Sequence, residues 1–319
     1  YAPKVGFRET EVKGNAVYVN GMPIKFNGVN SHAHHPETGK TMDIETIRRD
    51  FEIMKQFNIN LVRTSHYPPS IEYIQLANAY GIYIVDEAGV ECHGNIYLSG
   101  EPEWKNMFVD RGRKMVKRDR NNPSIVFWSG GNEAGVSDNL KVMMEEGRKL
   151  DASRPDWMYG GNTFQISFED IIGPRYWTPF ELKKLAEQDA AKDSRPSFMD
   201  EYLAATGNSM GGLDDYWELI RKYPRLSGGA IWDWVSPSIK HPLLILKDQS
   251  SNGNDGAIMG RANLVDSRFG TALDLSGHDE WVEFYRDPSL DITDEITLEL
   301  WVKPGKFVHT NYFCLLYTS

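Results

Sequence analysis

The sequence predicts an α/β chain: a (β/α)8 TIM barrel followed by a partial antiparallel β-sandwich module. Three observations carry that expectation. Short, nearly continuous apolar runs alternate with longer amphipathic ones eight times between Lys25 and Trp234, the pattern of a parallel sheet covered by helices. No run is followed by a glycine fingerprint such as G-x-G-x-x-G or G-x-x-x-x-G-K, so a doubly wound sheet fits less well than a closed barrel. After about Leu243 the helical period disappears and short strands with Asn/Gly/Asp turns take over. These features place a linker and β-hairpin at the barrel bottom over 1–23, the barrel over 24–240, and a truncated antiparallel β module over 243–319.

The elements follow in chain order. "VYVNGMPIKF" is a hairpin around Asn20-Gly21, a two-residue turn signal. The first barrel strand runs from Lys25 to Asn30. A helix follows from about Ile44 to Phe57, with Ile47, Phe51, Met54 and Phe57 on one face. Strands are then expected at "NLVRTSH", "IYIVDEAG", "SIVFWSGGNE", "WMYGG", "DIIGPRY", "SFMDEY" and "GGAIWDW". The clearest helices between them span 72–80, 104–120, 139–150, 180–191 and 213–222.

Composition narrows the function. With 35 Lys+Arg against 45 Asp+Glu the net charge is -10, which argues against nucleic acid and anionic membranes as partners and leaves neutral ligands open. Nine Trp, fifteen Tyr and fourteen Phe suit the C–H faces of sugars, although core packing accounts for most of them. No run approaches the eighteen apolar residues of a membrane span, and no leader pattern opens the chain. Two cysteines, Cys92 and Cys314, make no disulfide framework.

In such a barrel the chemistry sits at the carboxyl ends of the strands. Those ends carry Asn30, His32, His34 and His35; Arg63, Ser65 and His66; Asp86, Glu87, Glu91 and His93; Asn132 and Glu133; Gly161 and Asn162; Tyr176 and Trp177; Asp200 and Glu201; and Trp232, Asp233 and Trp234. For Arg63 or Asp86 a buried ion pair and a direct role are both open. The His-x-His-His run at the first strand suggests a metallohydrolase, but strands five and six supply no further histidine. Hydrogen bonds to sugar hydroxyls, or ordering of the mouth, fit His32, His34 and His35 better. Glu133 and Glu201 end strands four and seven, which lie across the mouth from one another. Two carboxylates so placed can flank one glycosidic bond, as retaining hydrolysis requires, and Asn132 is placed to bond the sugar 2-hydroxyl.

The runs "VGFRE", "FNGVNSHAHHP", "VRTSHYP", "YIVDEAGVECHG", "RDRNNPSIVFWSGGNEAG", "GNSMGG" and "YPRLSGGAIWDWV" resemble, in order and spacing, the catalytic barrel of β-galactosidases of glycoside hydrolase family 2. The resemblance implies Glu133 as acid/base and Glu201 as nucleophile. It implies Mg²⁺ ligation by Glu91, His93 and Glu133, and sugar or transition-state contacts from His32, His66, Asn132, Tyr176 and Trp232. The implied substrate is a β-glycoside derived from an oligosaccharide or polysaccharide. Where the family pattern reads Glu-Tyr-x-His, this sequence has Glu201-Tyr202-Leu203-Ala204, so the histidine that helps hold the galactose 6-hydroxyl is absent. A sandwich and an immunoglobulin-like domain are expected before the barrel in a parent protein, and with them an Asp ligand of a Na⁺ site that is incomplete here. The residues after 243 resemble the start of a concanavalin-like, laminin-G-type module, which favours a periplasmic or extracellular setting over a cytoplasmic one. A non-catalytic carbohydrate-binding barrel, or a family 2 glycosidase for another sugar, remains the alternative.

Overall fold

The computed structural model describes residues 6–154, 157–160, 167–206, 210–235, 238–240, 244–260, 262–276, 280–285, 287–297 and 299–305. Gly161 and Asn162, expected at the end of the fifth strand, lie outside these residues. The chain forms two compact units, Tyr1–Lys240 and His241–Ser319.

The first unit opens with a small antiparallel sheet of β1 (Thr10–Lys13), β2 (Ala16–Val19) and β3 (Met22–Pro23). Val19 pairs with Met22 across Asn20-Gly21, and both turn residues have positive φ, 52° and 76°, as a type I′ turn demands. The β1–β2 hairpin extends what the sequence predicts. Val17 and Val19 join a cluster with Phe26, Leu61, Val85, Phe127 and Phe198, so the sheet plugs the floor of the barrel.

Barrel strands and helices then alternate: β4 (Phe26–Ser31), α1 (Ile44–Gln56), β5 (Leu61–Arg63), α2 (Ile71–Tyr80), β6 (Tyr83–Glu87), α3 (Lys105–Asp119), β7 (Ile125–Asn132), α4 (Asp138–Leu150), β8 (Trp157–Gly160), α5 (Pro179–Ala186), β9 (Ser197–Tyr202), α6 (Leu213–Lys222) and β10 (Leu226–Trp234). The strands form one parallel sheet in the order β8-β7-β6-β5-β4-β10-β9. Helix starts follow side-chain caps: Asp43 accepts from Thr46 N–H, Ser70 from Tyr73 N–H, and Thr178 with Glu181 forms a reciprocal capping box.

Three expectations need correction. The sixth strand, "DIIGPRY", is not a strand but a segment joined by single bridges, Ile172 to Ser197 and Arg175 to Glu201. Pro174 has no N–H to donate, and Gly173-Pro174 interrupts the ladder. The segment nevertheless fills the sixth position, because Asp170 N–H donates to Trp157 C=O on one side and Phe198 N–H donates to Ile172 C=O on the other, both at 2.8–2.9 Å. Phe57 is not on the buried face of its helix. It is the C-cap and 68% exposed, while Ile47, Phe51 and Met54 are buried. The fifth helix ends at Ala186 rather than near 191, where the Asp189 side chain accepts from Ala191 N–H and offers the backbone a turn instead.

The second unit contains two small antiparallel sheets among the described residues. One joins β11 (Leu244–Leu246), β12 (Gly256–Met259) and β15 (Trp281–Phe284), and the other β13 (Asn263–Ser267) and β14 (Gly270–Asp274).

Candidate active site

Inside the barrel, side chains alternate in layers. Leu61, Val85, Phe127 and Phe198 belong to the apolar floor; two residues further along their strands come Arg63, Glu87, Ser129 and Asp200, all fully buried. A period of two puts each pair on the same inner face, one layer apart. The upper layer is therefore ionic.

Bulges bring extra side chains into that layer. On β9, Met199 lies opposite Gly229 and Tyr202 opposite Ile231, so β9 uses three residues where β10 uses two. The extra residue lets Glu201 face inward beside Asp200, where strict alternation would turn it out. On β7, Ser129 lies opposite Met158 and Asn132 opposite Gly160, which aims Asn132 and Glu133 at the mouth. Gly131 makes this possible. Its φ is 130°, and a Cβ there would come within 2.4 Å of the Val90 carbonyl oxygen. A third irregularity, with Ile231 opposite Val29 and Trp234 opposite Ser31, presents Trp232.

Two buried guanidiniums organise the carboxylates. Arg63 donates from Nε to Glu87 at 2.8 Å, from Nη1 to Asn30 Oδ1 and Glu201 Oε1 at 2.9 Å each, and from Nη2 to Asn132 Oδ1 at 2.8 Å. Arg175 donates from Nη1 to Glu133 Oε1 at 2.7 Å and from Nε to Asp200 Oδ2 at 3.1 Å. Its Nη2 lies 3.1 Å from Glu201 Oε1 and also bonds Asn132 Oδ1 and Asp200 Oδ2. Glu201 Oε1 is thus held from two sides. Its other oxygen accepts from the Tyr176 hydroxyl at 2.9 Å. Glu201 is 4% exposed, whereas the Glu133 side chain is 32% exposed. Glu133 and Tyr176 have φ of 38° and 51°, strained for residues with a side chain and characteristic of functional positions.

Electrostatics follow from this packing. Burial alone would raise Glu87, but Arg63 and His66 outweigh it and hold the carboxyl down at about 2. Burial raises Asp200 to about 6 against the pull of Arg175 and Arg63. Tyr176 is pushed upward by burial and by the Glu201 charge, so its hydroxyl stays protonated. His32 is lowered to about 4 by burial, with His66, Lys40 and Arg63 adding to the effect.

The histidines of "GVNSHAHHP" separate. His32 joins an aromatic wall, edge-on to both His66 and Trp232, while His66 stacks on Trp232 at 5.2 Å and 8°. His66 Nδ1 is also 2.8 Å from Glu87 Oε1. His34 instead reaches the Ser238 carbonyl at 2.7 Å, and His35 Nδ1 accepts from the backbone of Glu37 and Thr38. These two order the loop rather than face the carboxylates. Ser65 is buried with no hydrogen-bond partner for its hydroxyl among the described residues, and Asp86 faces the helix layer beside Asp119 and Arg118. Burial, with the neighbouring Asp119 carboxylate adding to it, raises Asp86 far above the usual carboxylate range against the pull of Arg118.

His93 Nδ1 is 2.5 Å from Glu133 Oε2, whereas Glu91 Oε1 accepts from Asn132 Nδ2 at 3.0 Å. Among the described residues no three His, Cys, Asp or Glu side chains form a metal-holding group.

Arg175 is the functional residue that sequence reasoning missed. The available signal was an arginine inside the apolar "DIIGPRY" run, with Asp200 and Glu201 at the end of the next strand.

Comparisons with known proteins agree with this geometry. Residues 10–258 match the model for glycosyl hydrolases family 2, TIM barrel domain. The β-galactosidase of Vibrio cholerae is 40% identical over 247 residues, which cover 74% of this chain and 24% of that protein. The β-galactosidase of Pectobacterium atrosepticum is 40% identical over 260 residues, 78% of this chain and 24% of that one. The chain therefore spans about a quarter of the length of these relatives. In fold it is similar to β-glucuronidase from Ruminococcus gnavus, with a TM-score of 0.64 at 22% identity over 76% of this chain and 49% of that one. On the family match and the extent of identity, this chain belongs to glycosyl hydrolase family 2 and carries its TIM barrel domain.

Proposed function

We propose that this barrel is the catalytic domain of a retaining exo-β-glycosidase that releases terminal β-linked galactose. The observation that carries the reading is that one guanidinium, Arg175, hydrogen-bonds Glu133 and pairs with Glu201 at 3.1 Å, so the two carboxylates lie within reach of a single side chain. Glu201 Oε1 is occupied by Arg63 and Arg175, which leaves Oε2, beside the Tyr176 hydroxyl, to attack the anomeric carbon. As that C–O bond forms, the aglycone oxygen departs with the proton of Glu133. Water then attacks the glycosyl-enzyme, giving its proton back to Glu133 and freeing Glu201. His32, His66 and Trp232 supply the wall against the sugar, and Asn132 has a second amide proton for the 2-hydroxyl.

Galactose is the finer part of the reading. It rests on the named relatives, while Ala204 removes a contact expected for the galactose 6-hydroxyl. Hydrolysis of chromogenic β-galactoside, β-glucoside, β-glucuronide and β-mannoside tests it. Fastest turnover of the galactoside supports the proposal, another sugar ranking first replaces it, and binding with no turnover of any favours a carbohydrate-binding barrel. The laminin-G-type sandwich after residue 243 is a proposal as well, supported by its two antiparallel sheets. A Mg²⁺ ion held by Glu91, His93 and Glu133 is a further proposal, supported by the contact of His93 with Glu133 and by Glu91 lying against the adjacent Asn132. Two carboxylates and retained waters suit that ion. A melting temperature that rises when Mg²⁺ is returned to chelated protein supports it, and an unchanged one argues against it.

A further inference from the structure

We propose that Arg175 is a positioning residue that sets the gap between Glu133 and Glu201, with Asp200 anchoring its guanidinium. The proposal rests on the assignment of those two glutamates as the reacting pair.

The Arg175 side chain is 0% exposed, so it acts through other residues and not on the sugar. Its two terminal nitrogens are fixed by covalent geometry in one plane. One holds Glu133 Oε1 at 2.7 Å and the other lies 3.1 Å from Glu201 Oε1. The spacing of the carboxylates is thereby tied to a rigid template. Asp200 accepts from both Nε and Nη2, which fixes the plane of the fork. Arg63 does not duplicate this role: its donors reach Glu87, Asn30, Asn132 and Glu201, but not Glu133. Without Arg175, Glu201 keeps Arg63 and Tyr176, whereas Glu133 keeps His93 as its partner among the described residues. The acid/base therefore loses its registration with the nucleophile. Loss of that registration weakens the reaction step more than substrate binding, because a displacement of about 1 Å can cost about 10²-fold in rate.

The test compares R175K, R175M/D200N and E201Q in the full-length protein, with aryl glycosides of good and poor leaving groups. Lysine keeps the charge but offers one nitrogen where the fork offers two. The double variant removes both buried charges together, so neither is left unpaired. Expected for R175K and the double variant are a fall of about 10²-fold in kcat with KM within about threefold, a larger fall for poor leaving groups, and a melting temperature of the double variant close to the parent's. A kcat within about twofold of the parent's in both, a rise in KM alone, or failure of both variants to fold would overturn the proposal. E201Q separates this outcome from its premise. If E201Q still turns over, the reacting pair itself is wrong and the role of Arg175 falls with it; if E201Q is dead while both Arg175 variants work normally, only the positioning role fails.

Discussion

The floor and the mouth of this barrel differ by one layer, two residues along the same strands, yet they obey opposite rules. At the floor, Phe26 meets Tyr83, Phe127 and Phe198 edge-on at 5.3–6.1 Å, a dry cluster sealed by Val17 and Val19. At the mouth, Arg63 and Arg175 interlock with Glu87, Asp200, Glu201 and Glu133. The floor gains from dispersion and removal of apolar area from water. The mouth buries charges at a desolvation cost that pairing offsets only while every partner is present. The contrast assigns stability to one layer and chemistry to the next.

Four substitutions test that assignment, beginning with the largest effect. Glu201→Gln is expected to lower kcat by about 10⁴-fold or more for every substrate; measurable turnover in a folded variant would break the division. Phe26→Ala should do the reverse, costing about 3–5 kcal/mol in chemical denaturation with kcat per folded molecule unchanged. A floor variant that loses activity without losing stability would show that the layers are coupled. Glu133→Gln sharpens the comparison inside the mouth. Turnover of poor leaving groups should fall by about 10²–10⁴-fold, good leaving groups should be spared in the first step, and azide should rescue by attacking the glycosyl-enzyme. Equal losses with no azide rescue would remove Glu133 from the acid/base role.

The smallest effect concerns His32, whose folded pKa of about 4 lies below the usual value near 6.5. The unfolded chain takes a proton that the folded one refuses, so this contribution is complete above about 6.5 and is lost as pH falls toward 4. His32→Gln should flatten the decline in stability across that window, measured by denaturation at a series of pH values. An unaltered slope would mean that another group governs it.

Much of this contrast is legible in the sequence, because both layers follow a period of two and the helices follow capping chemistry. Asn20-Gly21 announces its hairpin, and Ile47, Phe51 and Met54 announce a buried helix face. What escapes is whatever depends on a departure from period. The sixth strand fails at Gly173-Pro174, and so Arg175, whose partners are 25 to 43 residues away, is hidden in an apolar run. His34 and His35 look equivalent to His32, but a positive φ at Ala33 of 46° intervenes, and the two then bond loop backbone. The partners of Glu91 and His93, which are Asn132 and Glu133, are likewise set by the turn after β7 and not by local spacing.

The bulge in β7 has a consequence for how this barrel tolerates change. One surplus residue shifts the phase of everything downstream without moving anything upstream, since Ser129 keeps its pairing with Met158 while Asn132 pairs with Gly160. Replacing Gly131 by a residue that does not hold its φ of 130° would flatten the bulge and, by strict alternation, turn the Asn132 side chain toward the helices, leaving the apolar floor in register. The barrel would fold around a mouth whose residues are all present and facing the wrong way. Forming or flattening a bulge in these strand ends therefore acts as a switch of orientation, a route by which such a scaffold trades one set of reactive groups for another in a single step.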